Sequence, residues 1–162
     1  MALDSFYQTA AQICFTLLGL WWLVLQAKYA QWIGAPAQRR SASNISLYFL
    51  LPGAMSLLAL AAQTRLIWQV AFVIASGIGI VETALLVRRT TGAPRLPRVA
   101  MALRGAGLVC YALLMLTALF PQLPAHFGLA PLTVASMLLT LLIVFGVTLA
   151  WRYFAEPLPA SA

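Results

Sequence analysis

Two charged side chains fall inside apolar stretches of the chain, where a charge costs several kcal/mol and marks a working site by default. Glu82 lies six residues before Arg88, and Arg104 lies six residues after Arg98. If the flanking stretches are antiparallel helices joined by the loop between Arg88 and Arg98, both charges sit about 9 Å in from the same end, at 1.5 Å per residue. Equal depth on neighbouring helices is what a salt bridge requires. The first expectation is a buried ion pair that fixes the register of this hairpin. Two other readings stay open. Arg104 could snorkel to the nearby interface, or the charges could work, Glu82 as a proton or cation site and Arg104 as an anion contact. Tyr111 shares a helix face with Arg104 and Gly107, which adds a phenol to a small polar pocket. Pairing predicts that Glu82→Gln alone destabilises the bundle and that exchanging the two residues restores part of the loss. Equal thermal stability of parent, single variant and exchange would refute it.

The second feature is a polar stripe near the N-terminus. Gln8, Gln12, Thr16, Gly19, Trp22 and Gln26 lie within about 120° of one another at about 100° per helical residue. Glutamine amides facing lipid stay unsatisfied, so this face is expected to meet protein or water. One reading is a helix–helix contact made by hydrogen bonds and a close-approach glycine. The other is the lining of a pore shared among subunits, since one subunit has too few helices to enclose a wide channel.

The remaining polar residues carry less chemistry. Gln69, Ser76 and Thr83 are spaced seven apart, with Gly77 and Gly79 nearby, and Thr133, Ser136 and Thr140 share another stretch. Both sets read as interhelical glue. Pro52-Gly53 predicts a helix kink that frees the carbonyl of Tyr48. His126 is the one histidine. It reads as an exposed loop residue, or as a pH-responsive group at an outer mouth, and cannot hold a metal alone. Cys14 and Cys110 are far apart with no C-x-x-C, so they read as apolar packing residues. Asn44-Ile45-Ser46 matches the glycosylation pattern but falls on the inner side of the expected topology. No Ser/His/Asp set, acidic metal cluster or phosphate-cradling glycine loop is present, so no catalytic residues, cofactor or metal are expected. An intramembrane enzyme would have to work with Glu82, Arg104 and Tyr111.

The elements that position these residues follow from composition. Of 162 residues, 63% are apolar and 8% charged, against about 25% charged in an average soluble domain. Mean hydropathy is +0.93. A soluble fold of this size cannot hide so much apolar surface, and disorder needs the opposite composition. The expected class is therefore all-α: a single transmembrane domain, a homo-oligomeric bundle of five helices. Spans need about 20 apolar residues, and five qualify, over about 5–27, 45–62, 66–87, 99–120 and 130–151. Gly34 and Pro36, the run Gln63-Thr64-Arg65, the cluster Gly92, Pro94 and Pro97, and the pair Pro121 and Pro124 supply the breaks.

Net charge is +7, and the basic residues cluster in two loops, with Lys28, Arg39 and Arg40 in one and Arg88, Arg89, Arg95 and Arg98 in the other. Both loops are expected to be cytoplasmic, with the N-terminus outside and the C-terminus inside. Nucleic-acid binding is excluded because no exposed basic domain exists to carry it. Tyr7 and Trp68 are expected in the outer interfacial belt, and Tyr29, Trp32, Tyr48, Trp151 and Tyr153 in the inner one. The N-terminal segment lacks a basic n-region, so the first apolar run is expected to remain as a span. The expected partners are the bilayer, further copies of the chain and a small ion or solute, in a bacterial inner (plasma) membrane. Two functional readings remain. One is a small oligomeric channel or transport protein lined by the first helix. The other is a non-catalytic subunit of a larger membrane complex.

Overall fold

The computed structural model describes residues 2–32, 36–62, 64–90, 98–126 and 128–155. Every element among them is helical: α1 (Ala2–Trp32), α2 (Pro36–Ala61), α3 (Arg65–Thr90), α4 (Arg98–Leu119), the short α5 (Gln122–His126) and α6 (Pro131–Ala155). Five of these helices are long and apolar enough to cross a membrane. In hydrocarbon each backbone N–H and C=O must be satisfied within the segment, which is why the apolar runs form unbroken helices. The chain is an integral membrane protein by this measure.

The ends follow local chemistry. Pro36 and Pro131 open α2 and α6 at the first helical position, where proline loses no intrahelical bond. Both helices run past the limits expected from hydropathy. α2 starts at Pro36 rather than near Ile45, because Arg39-Arg40-Ser41-Ala42-Ser43-Asn44 form its first turns despite their polarity. In the loop expected after the break at Pro121 and Pro124, residues Gln122–His126 form the short helix α5. Pro124 sits within the first turn of this short helix, where it is tolerated. Gly128 closes α5 at φ 69°. Its N–H donates to the Ala125 carbonyl and the Leu129 N–H to the Pro124 carbonyl, the paired bonds of a left-handed C-terminal cap that favours glycine.

α2 is the hub. It packs on α1, α3 and α6, while α4 packs on α3 and α6, and α1 also touches α6. Half of the apolar window of α2 is buried, against 22% for that of α1. Side-chain donors tie helices to one another through main-chain carbonyls. Tyr7 Oη donates to Leu132 O at 2.7 Å, Trp21 Nε1 to Ala42 O at 3.2 Å and Gln69 Nε2 to Ala118 O at 2.9 Å. Tyr7, Trp68 and Tyr48, expected at the interfacial belts, are all buried against neighbouring helices. Trp151, by contrast, is 71% exposed. The ring of Tyr153 packs edge-on to Trp21 at 5.9 Å.

The backbones of α2 and α4 stay more than 8 Å apart between Cα atoms among the described residues. Two tyrosines bridge that space. Tyr48 of α2 lies over Gly107 of α4, where an added methyl would strike its ring and hydroxyl. Tyr111 of α4 lies over Gly79 of α3, where an added methyl would sit 2.7 Å from the ring. The two rings tilt together at a centroid distance of 6.0 Å. Tyr111 Oη also donates to Leu47 O at 3.4 Å. On α6, Gly146 admits Tyr48 and Phe49 in the same way. Gly53 of α2 backs onto Cys14 and Phe15 of α1, and α2 continues through Pro52 without a break. The Pro52-Gly53 step is thus the close approach between α1 and α2.

Gly77 has nothing within 4 Å of an added methyl, unlike Gly107. Gly77→Ala is therefore expected to be neutral or stabilising, by up to about 1 kcal/mol of helix propensity. Gly107→Ala should cost about 1–3 kcal/mol through displacement of Tyr48. Unfolding of the two purified variants in detergent measures the contrast. Equal losses would mean that Tyr48 does not need the Gly107 seat.

Candidate functional site: an outward polar face and a buried polar cluster

The helical phase of α1 is set by what it buries. Tyr7, Ala11, Cys14 and Trp21 turn into the bundle, and the small ones let α2 approach. The opposite face then carries Gln8, Gln12, Thr16, Gly19, Trp22 and Gln26, and all six are exposed. Thr16 Oγ1 donates to the Gln12 carbonyl of its own helix at 2.8 Å, and Gly19 has open space around it. The stripe is a real feature of one face, and its own bundle does not cover it. Covering must come from other polypeptide or from water.

A second polar group lies inside the bundle. On α2, Ser41, Asn44 and Tyr48 follow the i, i+3, i+7 spacing that puts residues on one helix face. On α4, Arg104, Gly107 and Tyr111 follow the same spacing. α2 and α4 both begin at the arginine-rich end, so the two sets run in parallel at matching depth. Arg104 is 5% exposed, and its Nη2 donates to Ser41 Oγ at 3.4 Å. Asn44 is also 5% exposed, and neither end of its amide has a hydrogen-bond partner among the described residues. Tyr48 closes the cluster from the bilayer-centre side. Its hydroxyl faces Thr83 of α3 without a well-formed hydrogen bond.

The expected partnership of Glu82 and Arg104 takes a different form. The two stand at similar depth, but on α3 the inward face belongs to Ser76, Gly79, Thr83 and Leu86. At about 100° per residue, Glu82 is turned away from Thr83 and lies exposed on the outside of the bundle. It makes no ion pair with Arg104 among the described residues, and Arg104 turns to α2 instead. Matching depth is one of two coordinates, and azimuth is the other. Tyr111 does sit on the Arg104 face, but it reaches Leu47 rather than the guanidinium.

Other polar residues divide the same way. Gln69 and Thr83 turn inward with Ser76, and Gln69 bridges to α4 as interhelical glue would. The hydroxyls of Ser136 and Thr140 instead bond carbonyls of their own helix, Thr133 O at 2.7 Å and Ser136 O at 2.9 Å, with Ser136 buried and Thr140 exposed. His126 is exposed, with Nδ1 3.0 Å from the Gln122 carbonyl. Cys14 and Cys110 are buried and free. No group of three or more potential metal ligands exists among the described residues. The surface grooves are apolar. One of about 320 Å³ runs between α1 and α6 along Trp21, Val147 and Trp151.

Ser41, Asn44 and Tyr48 escaped the sequence reading as a group. Asn44 registers in the sequence as part of a glycosylation pattern, and Tyr48 as an interfacial aromatic and as the carbonyl freed by Pro52. The usable signal was the repeated spacing, 41/44/48 against 104/107/111. Compared with known proteins, the chain matches no family model, no curated protein and no solved structure.

Because Glu82 faces outward, Glu82→Gln should change stability by no more than about 0.5 kcal/mol. Arg104→Gln should cost about 1–3 kcal/mol, since Ser41 and the packing along the guanidinium stem are lost. The double variant should be additive within about 0.5 kcal/mol. Thermal unfolding of the three variants in one detergent gives the cycle. A coupling well above that limit would restore the ion pair.

Proposed function

We propose that the chain is one subunit of a membrane assembly in which the outward face of α1 meets further copies of itself and encloses a path for small ions or solutes. The observation that carries this is the exposure of Gln8, Gln12, Thr16 and Gly19 together on the side of α1 away from its own bundle. Amide groups left to acyl chains cost several kcal/mol each, so the isolated bundle is an unfinished structure at this face. Neutral amides and hydroxyls hold water without binding one ion strongly, which suits conduction with little charge selectivity. Tyr48, Phe49, Phe72 and Leu142 fill the bundle interior, which argues for a path between subunits rather than through one. No catalytic role is proposed.

A second reading has its own support. Towards the basic end the face changes character, with Trp22 57% and Leu23 61% exposed beside Gly19. An aromatic and a leucine next to an open glycine suit a close helix–helix seam, and such a seam could equally be made with a helix of a different protein. In that case the chain is a non-catalytic assembly subunit.

Mass measurement of the detergent-solubilised protein and solute flux in reconstituted liposomes separate the two. A closed oligomer of defined size with measurable flux is expected, and Gln12→Leu should change the flux at least several-fold while the helical content stays the same. A monomer with tight liposomes would sink the conduit and leave the heterologous seam.

A further inference from the structure

We propose that the cluster of Ser41, Asn44, Tyr48 and Arg104, between α2 and α4 near the basic end, is a binding site for a phosphate oxyanion. This inference does not rest on the α1 reading, since it uses the other side of α2. Its starting point is Asn44, which is 5% exposed with neither Nδ2 nor Oδ1 partnered among the described residues. A buried amide left unsatisfied costs about 1–3 kcal/mol and calls for a ligand or water. Its position follows from its neighbours on the helix face. Ser41, one turn before it, touches Arg104. Tyr48, one turn after it, lies over Gly107. Asn44 therefore faces the step between Arg104 and Gly107.

The sign of the ligand follows from what converges there. The guanidinium, the amide NH2 and two hydroxyls are donors, and one of them carries a full positive charge. α2 and α4 both start at this end, so the positive ends of two helix dipoles add to the field. Just outside Ser41, which is half-buried, Arg39 and Arg40 are exposed and would concentrate anions at the rim. The acidic side chains among the described residues lie elsewhere, Glu82 on the outside of α3 and Asp4 at the opposite end of the bundle. A phosphate fits the donor set. The planar guanidinium fork presents two N–H groups to one or two oxygens, leaving the others for Asn44 Nδ2 and the Tyr48 hydroxyl. Asn44 Oδ1 would accept from the hydroxyl of a phosphate monoanion or from a headgroup hydroxyl. The phosphate could be free or part of a lipid headgroup in the leaflet at the basic end, since Arg104 is only about 9 Å in from the start of α4.

The test uses the full chain in a neutral detergent and phosphate-free buffer. In one arm, thermal unfolding is followed with inorganic phosphate against chloride at matched ionic strength. In the other, short-chain phosphatidylglycerol is compared with the diacylglycerol of the same chains, and retention is read by native mass spectrometry. A saturable rise in melting temperature of a few degrees with phosphate identifies the free anion. Retention of phosphatidylglycerol without a phosphate effect identifies the headgroup. In either case Asn44→Leu and Arg104→Lys should each weaken the apparent affinity about tenfold or more. Asn44→Leu removes the unsatisfied amide at similar volume, so it keeps the test decisive should Arg104→Lys fail to fold. The proposal is overturned if neither ligand acts on the parent, if diacylglycerol is retained as well as phosphatidylglycerol, or if Asn44→Leu binds like the parent.

Discussion

The tyrosine pair between α2 and α4 is the contact on which the arrangement of the other helices depends. Without a hydrophobic drive between helices in lipid, association rests on close packing and a few hydrogen bonds. Small residues normally provide this by letting backbones touch. Here glycines do something different at the centre of the bundle. Gly79, Gly107 and Gly146, one each on α3, α4 and α6, each accept an aromatic ring from another helix. Tyr48 and Tyr111 thus reach across a gap that no backbone closes, and each is almost completely buried. The design trades a backbone-to-backbone seam for two ring-to-glycine seats. Towards the basic end the two helices are bridged not by a tyrosine but by Arg104 reaching Ser41, with the buried Asn44 one turn further along α2. The buried polar cluster continues the aromatic core towards the basic end.

The same packing explains why α1 is the least enclosed span. Among the described residues it packs on α2 and α6 and buries one narrow face built around Ala10, Ala11 and Cys14. The small side chains bring the helix close at Gly53, but they leave the remainder of its circumference outside. On α3 and α6 the outward residues are mainly isoleucine, valine, leucine and phenylalanine, as a lipid-facing surface should be. On α1 they include glutamines at two successive turns. The difference in side-chain chemistry between these equally exposed faces separates a surface built for lipid from one that needs a polar neighbour.

How much of this could be read in the sequence depends on whether one coordinate or two were required. The five spans needed only length and apolarity, and they were legible to within a few residues except where polar residues form the first turns of α2. There the main chain of Ala42 takes a bond from Trp21, a tertiary contact that no local pattern announces. The stripe on α1 was legible as a face because its members share one helix, but whether the face pointed in or out was not. That depended on which side Ala11, Cys14 and Trp21 would bury, and alanine and cysteine carry too weak an apolar signal to decide it. The match of Glu82 with Arg104 failed for the same reason. Depth is a count along one chain, whereas azimuth depends on the packing of α3 against both α2 and α4. Arg104 itself was rightly singled out as a buried charge, while its neighbours Ser41 and Asn44 were hidden in what hydropathy reads as a loop.

The two polar regions lie on opposite sides of α2 and share no side chain. The α1 face is richest in amides near the N-terminal end, at Gln8 and Gln12, whereas the cluster lies near the basic end at Ser41 and Asn44. Substitutions that far apart with no common partner act additively as a rule. The contacts between them run through α2, where Gly53 lies against Cys14 and Tyr48 over Gly107 and the Ala42 carbonyl takes the Trp21 indole N–H, and through α6, which touches α1 and seats Tyr48 at Gly146. A packed helix of this kind transmits a change only if it has a second arrangement to adopt, and at Gly53 and Gly107 the neighbouring side chains already sit in close contact. The physical expectation is therefore that the proposed α1 contact and the proposed anion site act independently, each removable without loss of the other.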